Sequence, residues 1–248
     1  HTIYWPIFLM ALGEPLPKQV FGHPWLLMNN DKMSKSKGNI LYADDLVKLF
    51  GVEAVRYYLL HEIPFQSDGT INYELIIERI NSDLANILGN LVNRTISMSQ
   101  KYFEGYITNK NVKEDMDADF IKAIKELPKE VDQSMEKLEI GSAIDKIFDV
   151  LRKSNKYIDD TTPWALAKDE SKKARLETVL YHLLESIKVC ASELASFLPD
   201  TSKEILRQLN IVSSNNYEEN NQYAVCNPEP TFMRIDMAKK LEEIKSNK

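Results

Sequence analysis

The 248-residue sequence predicts a mostly α-helical protein, an antiparallel helical bundle preceded by a small α/β segment. Three observations predict it. Apolar residues recur at helical spacing almost without break from about Tyr73 to Leu209. Only 8 glycines and 10 prolines occur, too few for a loop-rich or all-β design. Five of those prolines, Pro6, Pro15, Pro17, Pro24 and Pro64, fall in the first 65 residues, where aromatic and apolar residues crowd. The texture therefore divides the chain into residues 1–65, a helical part over 66–210, and a polar linker with a last helix over 211–248.

Taken in order, Thr2 to Leu12 suits a buried helix that Pro6 starts or kinks and Gly13 ends. Lys18 to Gly22 and Trp25 to Met28 read as short strands, followed by a turn at Asn29-Asn30-Asp31. Helices follow over Asp44 to Phe50 and Val52 to Glu62, separated by Gly51. After a turn at Ser67-Asp68-Gly69, one long helix runs from Tyr73 to Phe103 and stops before Gly105. Further helices are expected over Asp117 to Leu138, Ile140 to Asp159, Lys172 to Phe197 and Thr201 to Leu209, joined by short loops as in an antiparallel bundle. Val212 to Thr231 is polar and reads as loop, and a last helix spans Met233 to Lys245.

The formal charge is −6, from 31 Lys plus Arg against 37 Asp plus Glu, which argues against indiscriminate polyanion binding but not against local basic sites. Cys190 and Cys226 are the two cysteines, far apart and in no C-x-x-C spacing, so neither a disulfide framework nor a cysteine-built metal site is expected. A reduced, cytoplasmic setting fits. No apolar run approaches the roughly 20 residues that span a bilayer, so no membrane partner is expected. The chain opens on His1 within an aromatic segment that reads like the middle of a core, so the expectation is a cut through a longer domain.

The sharpest local signal is Lys32-Met33-Ser34-Lys35-Ser36-Lys37-Gly38-Asn39. Three lysines alternate with hydroxyls and a glycine without apolar periodicity, which reads as an exposed, mobile loop. Between Lys18 and Gly38 four lysines and one aspartate give a local charge of +3. Such ammonium groups can surround a polyphosphate and stabilise charge developing in phosphoryl or adenylyl transfer. No G-x-x-x-x-G-K-[ST] loop occurs. A lysine-rich run of this kind is also, and more commonly, a simple solvated turn.

The long helix carries a second signal. At 100° per residue, Leu84, Ile87, Leu88, Leu91, Thr95 and Met98 share a core face, while Asn86, Asn90, Asn93, Arg94, Ser97 and Lys101 line a solvent-facing stripe. Asparagine is a mediocre helix former, so three in eight positions cost helical stability. Asn and Arg both make paired hydrogen bonds to base edges, which suits reading an unstacked RNA base. A plain solvated face, with i,i+4 pairs such as Asn90 with Arg94, is the alternative. Farther on, Thr162 makes a good N-cap, Pro163 suits the first helical position, and Trp164 then sits on a first turn where its indole can stack on a base. Otherwise Trp164 plugs the bundle.

These residues resemble a known family. K-M-S-K-S is the second signature of class I aminoacyl-tRNA synthetases. The run H-T-I-Y-W-P-I-F-L-M-A-L-G-E-P-L-P-K-Q-V-F-G-H-P-W, followed by K-M-S-K-S-K-G-N, resembles the later part of the methionyl-tRNA synthetase catalytic domain. R-I-N-S-D-L-A-N-I-L-G-N-L-V-N-R and P-W-A-L-A-K are similar to that family's anticodon-binding helical domain. The likeness is continuous from His1 to about Leu198. Pro228 to Asp236 resembles the tail that in many members leads toward an appended tRNA-binding domain.

The resemblance implies ATP-dependent activation of methionine and its transfer to tRNA(Met), with Mg2+ accompanying ATP as substrate and no metal bound by this chain. Lys32 and Lys35 would reach the phosphates as the catalytic pair, Lys35 making the transition-state contact, with Ser34 and Ser36 shaping the loop. His23 matches the adenosine-contacting histidine. His1 and Trp5, one helical turn apart and so placed on one face, match residues of the methionine pocket, although residue type alone favours core for both. Asn90, Arg94, Pro163 and Trp164 match the anticodon contacts. The family's first signature, H-x-G-H, is absent, since His1, His23, His61 and His182 are followed by Thr, Pro, Glu and Leu. Its zinc knuckle and the strands of the nucleotide fold are missing too, so this part by itself is expected to be inactive. Two alternatives stand beside this reading: a non-catalytic tRNA-binding module, and a class I synthetase for leucine, isoleucine, valine or cysteine. The oligomeric state is not readable from the sequence.

Overall fold

The structure is a computed structural model that describes residues 1–65 and 67–246, so the limits expected at residues 66 and 248 lie outside it. The first helix, α1 (Tyr4–Leu12), ends as expected at Gly13, where a φ of 74° brings the glycine N–H to the carbonyls of Leu9 and Met10. It is not the buried helix that its composition suggested. None of its residues is buried, and Tyr4 and Phe8 are 73 % and 61 % exposed. The helix is apolar on all sides, and the rest of the described chain does not cover it.

A small sheet of order β2-β1-β3 follows, built from β1 (Leu26–Met28), β2 (Asp31–Lys32) and β3 (Gly69–Ile71). Asn29 and Asn30 both take positive φ, 51° and 68°, which is the two-residue turn whose twist suits an antiparallel hairpin; asparagine tolerates that conformation. β3 runs parallel to β1, with Leu27 opposite Thr70. The strand expected over Lys18 to Gly22 does not form; these residues are irregular and exposed, with no strand paired to them. Where a turn was expected, Gly69 instead starts β3.

Helices α2 (Ala43–Phe50) and α3 (Val52–His61) meet at Gly51, whose φ of 84° permits the sharp reversal. The expected long helix runs from residue 73 to 103, but in three parts: α4 (Tyr73–Arg79), a π-helical segment Ile80–Gly89, and α5 (Asn90–Phe103). Asn72 caps its start by accepting from the Leu75 N–H at 2.8 Å. After β4 (Tyr106–Thr108) come α6 (Asp115–Glu136), α7 (Ile140–Thr161), the four-residue α8 (Pro163–Leu166), α9 (Lys173–Leu194) and α10 (Pro199–Leu209). Within the polar stretch after α10 lies β5 (Gln222–Ala224), paired antiparallel with β4, and α11 (Met237–Ser246) follows.

α9 is the axis of the bundle: every residue from Arg175 to Leu194 is buried, under α6, α7, α10, α5 and β4. Several of its buried charges are paired, which offsets the cost of burial. Arg175 grips Asp117 with two hydrogen bonds of 2.6 and 2.9 Å, and Lys188 meets Glu185 at 2.9 Å. Glu185 also accepts from Tyr223, Asn221 and the Glu218 N–H, which ties the polar segment after α10 to the core. One continuous apolar cluster extends from Leu46 to Val225. Among the described residues no helix is long and apolar enough to cross a membrane, and no group of three His, Cys, Asp or Glu is placed to hold a metal ion.

Candidate nucleic-acid interface and lysine loop

The lysine loop grows directly out of the hairpin. Lys32 ends β2, and Lys35 to Lys37 form one 3-10 turn closed by Gly38 at a φ of 65°. The Ser34 and Ser36 hydroxyls lie 2.8 Å apart, within hydrogen-bond distance. Asn39, which sequence reasoning passed over, is its clasp: the side-chain oxygen accepts from the Ser34 N–H at 2.8 Å, and the amide donates to the Lys32 carbonyl at 3.3 Å. Lys35, Ser36 and Lys37 are exposed. The Lys32 ammonium sits 4.5 Å from the centre of the Trp25 ring, a cation–π contact. His23 is exposed beside this hairpin, its Nδ1 2.9 Å from the Pro24 carbonyl and its ring 6.4 Å from that of Phe65.

His1 and Trp5 are not brought onto one helical face, because α1 begins at Tyr4 and His1 precedes its first turn. Both are exposed, Trp5 by 47 %, so neither is core within this chain.

The hairpin is bolted to the long helical run. Thr70 Oγ1 donates to Asn30 Oδ1 at 2.7 Å, and the Asn72 amide donates to Asn29 Oδ1 at 3.1 Å while Asn72 caps α4. Arg94 lies roughly 30 Å further along that run, at about 1.5 Å per residue. Along it Asn86, Asn90, Asn93 and Lys101 are exposed, and Arg94 and Ser97 half-buried, so the polar stripe faces outward as its periodicity indicated. Leu84, Leu88, Leu91 and Thr95 are buried, Ile87 and Met98 half-buried.

Arg94 does not rely on Asn90. Its Nη2 lies 3.5 Å from Asp159 Oδ1 on the last turn of α7. Three residues on, Thr162 holds a φ of 43°, a conformation that a β-branched residue rarely adopts, and its side chain makes no cap hydrogen bond, contrary to expectation. Its carbonyl instead accepts from Ala165 and Leu166 and starts α8. Pro163 is buried at the first helical position, while Trp164 next to it is 44 % exposed, so the indole is no core plug. The fold thus ties Arg94 to the last turn of α7, just before Pro163 and Trp164, through an acidic residue, Asp159, that no sequence signal had marked.

The lysine-bearing hairpin and the start of the helical run lie within residues 1–96, which match the family model of a class I aminoacyl-tRNA synthetase, described as tRNA synthetases class I (M). Residues 108–236 match the anticodon binding domain of methionyl tRNA ligase, and the chain belongs to that family. It is 53 % identical over 251 residues to the methionine–tRNA ligase of Clostridium acetobutylicum, covering 98 % of this chain and 39 % of that protein. Against the methionine–tRNA ligase of Clostridium tetani the identity is 50 %, over 100 % of this chain and 40 % of the relative. Among solved structures, Mycobacterium tuberculosis methionyl-tRNA synthetase in complex with methionyl-adenylate superposes with a TM-score of 0.86 at 34 % identity, over 95 % of this chain and 48 % of that one. The chain spans about two fifths of the length of the curated relatives it matches. These matches do not support a synthetase for leucine, isoleucine, valine or cysteine.

Proposed function

We propose that this sequence is part of a cytoplasmic methionine–tRNA ligase, with residues 1–65 belonging to the catalytic domain, 66–210 binding the anticodon and 211–248 forming a polar linker and a helix. The observation that supports the reading is the Arg94–Asp159 pair, which sets Arg94, one turn after Asn90, against the last turn of α7 just before Pro163 and Trp164. Asn90 and Arg94 offer donors and acceptors to base edges, and the half-exposed Trp164 indole offers a stacking surface.

At the other end, a carboxylate oxygen of methionine attacks the α-phosphorus of ATP and pyrophosphate leaves; Mg2+ accompanies the nucleotide as part of the substrate. The Lys32 and Lys35 ammonium groups neutralise the charge that develops on the phosphates, Lys35 most directly, since it stands exposed on the 3-10 turn. Ser34, Ser36 and Asn39 hold the loop in shape, His23 contacts the adenosine, and His1 and Trp5 line the methionine side once the rest of the catalytic domain covers them. The ribose hydroxyl of the tRNA terminus then takes the methionyl group and AMP leaves.

The test is aminoacylation by the full-length protein that contains this sequence. Methionine should be charged onto tRNA(Met) in an ATP-dependent reaction, with a large loss in kcat/KM on a transcript altered only in its anticodon. Equal charging of the two transcripts would remove the anticodon-reading role. A protein that bound tRNA but formed no aminoacyl ester would favour the non-catalytic binding module.

A further inference from the structure

The wide turn that precedes Asn90 accepts a hydrogen bond from a side chain of another helix. Across Ile80–Gly89 the backbone bonds five residues back, and the last of these bonds is made by Asn90 itself, whose N–H reaches the Ala85 carbonyl. A π-helical turn inside an α-helix changes the direction in which all later side chains face. Two features fix this one. Gly89 leaves room where a Cβ would stand 3.1 Å from the Leu84 carbonyl and 3.5 Å from the Phe232 carbonyl of the segment crossing above it. On the other side Asn155, half-buried on α7, donates one amide hydrogen to the Ile87 carbonyl at 3.1 Å and another to Leu151 of its own helix at 3.1 Å.

Asn155 and Asp159 are spaced i,i+4 and share a face of α7. One grips the helix backbone at Ile87 and the other grips Arg94, with Asn90 between the two grips. The amide hydrogens of Asn155 go to the backbone carbonyls of Ile87 and Leu151, so its contribution to Asn90 and Arg94 is indirect. We propose that Asn155 is a positioning residue for anticodon discrimination: its hydrogen bond to Ile87 fixes the π-helical turn and thereby the rotation at which Asn90 and Arg94 meet the bases. The inference rests on the anticodon-reading role proposed above.

The experiment compares this chain with its Asn155→Ala, Asn155→Asp and Asn155→Gln variants, measuring Kd for a CAU anticodon stem-loop and for one changed at the first anticodon base. The unchanged chain should prefer CAU. Asn155→Ala should weaken CAU binding by about tenfold, in the range of one lost hydrogen bond, while the changed stem-loop moves far less, so the preference narrows. Asn155→Asp keeps the size but cannot donate when ionised, and should narrow the preference in the same way. Asn155→Gln keeps the donor and should recover part of the preference. If Asn155→Ala fails to unfold cooperatively, the near-isosteric Asp variant decides. Equal weakening on both stem-loops, or an unaltered preference in the folded variants, would overturn the positioning role alone. Lack of any preference in the unchanged chain would instead overturn the anticodon-reading role beneath it.

Discussion

Arg94 on α5 and Asp159 on α7 face each other at 3.5 Å, a guanidinium on one helix beside a carboxylate on the other. Arg94 keeps about a third of its side chain exposed and Asp159 two thirds, 33 % and 67 %, so the pair orients the guanidinium without burying it. An exposed pair of this kind stabilises a fold little, which points to geometry and charge as its use.

Asp159→Asn should therefore leave stability within about 0.5 kcal/mol of the unchanged chain. It should tighten binding of anticodon stem-loops regardless of their sequence, because a carboxylate no longer repels the phosphates, and narrow the preference for CAU. Titrations of two stem-loops at two salt concentrations measure this. Tighter binding confined to CAU would contradict it.

Trp164→Ala should weaken binding of the CAU stem-loop by about 1 to 3 kcal/mol. The indole is 44 % exposed on a four-residue helix, so the thermal unfolding transition should remain cooperative. A collapsed transition would mean that the side chain is core after all.

For the lysine loop, Lys35→Ala in the full-length enzyme should lower the rate of methionyl-adenylate formation on the order of 10²-fold or more, with methionine affinity little changed. Asn39→Ala should give a smaller loss, since it loosens the clasp without removing a charge. Rapid-quench measurement of adenylate formation separates the two effects, and an unchanged rate in Lys35→Ala would take Lys35 out of its role.

Glu193 gives a pH-dependent prediction away from both sites. It is buried on α9 with one carboxylate oxygen lacking a hydrogen-bond partner, and burial, with the nearby Asp132 charge, pushes its pKa up to about 7. The folded pKa exceeds that of the unfolded chain, so the protonated form favours folding. Stability is therefore fully present below the ordinary carboxylate range and declines as pH rises through about 7. Glu193→Gln should match the unchanged chain in Tm below pH about 5 and exceed it at pH 8 and above. Equal Tm at both ends would show that the carboxylate is solvated.

The bundle was legible because its apolar residues keep a 3.6-residue period, and α7 and α10 end or begin within two residues of the expected bounds. What the period hides is the π-helical segment: its bonds skip one further residue while the buried positions Leu84, Leu88 and Leu91 remain compatible with an ordinary helix. β3, β4 and β5 are three residues each and are defined by partners far away in sequence, as with Ile107 opposite Tyr223, so no local pattern announces them. α1 shows the converse error, since apolar composition indicated burial that this stretch of chain does not itself provide. In the loop and the stripe, residue chemistry pointed to the lysines, Asn90 and Arg94. Asn39, Asn155 and Asp159 became visible only through hydrogen bonds and ion pairs made in three dimensions.

The most direct test of the account is the ratio of dissociation constants of this chain for a CAU anticodon stem-loop and for the same stem-loop with one anticodon base changed, measured at fixed salt. Binding to CAU should be tighter by about 1 to 3 kcal/mol for the exchanged base. Equal binding of the two stem-loops by the folded chain would contradict it.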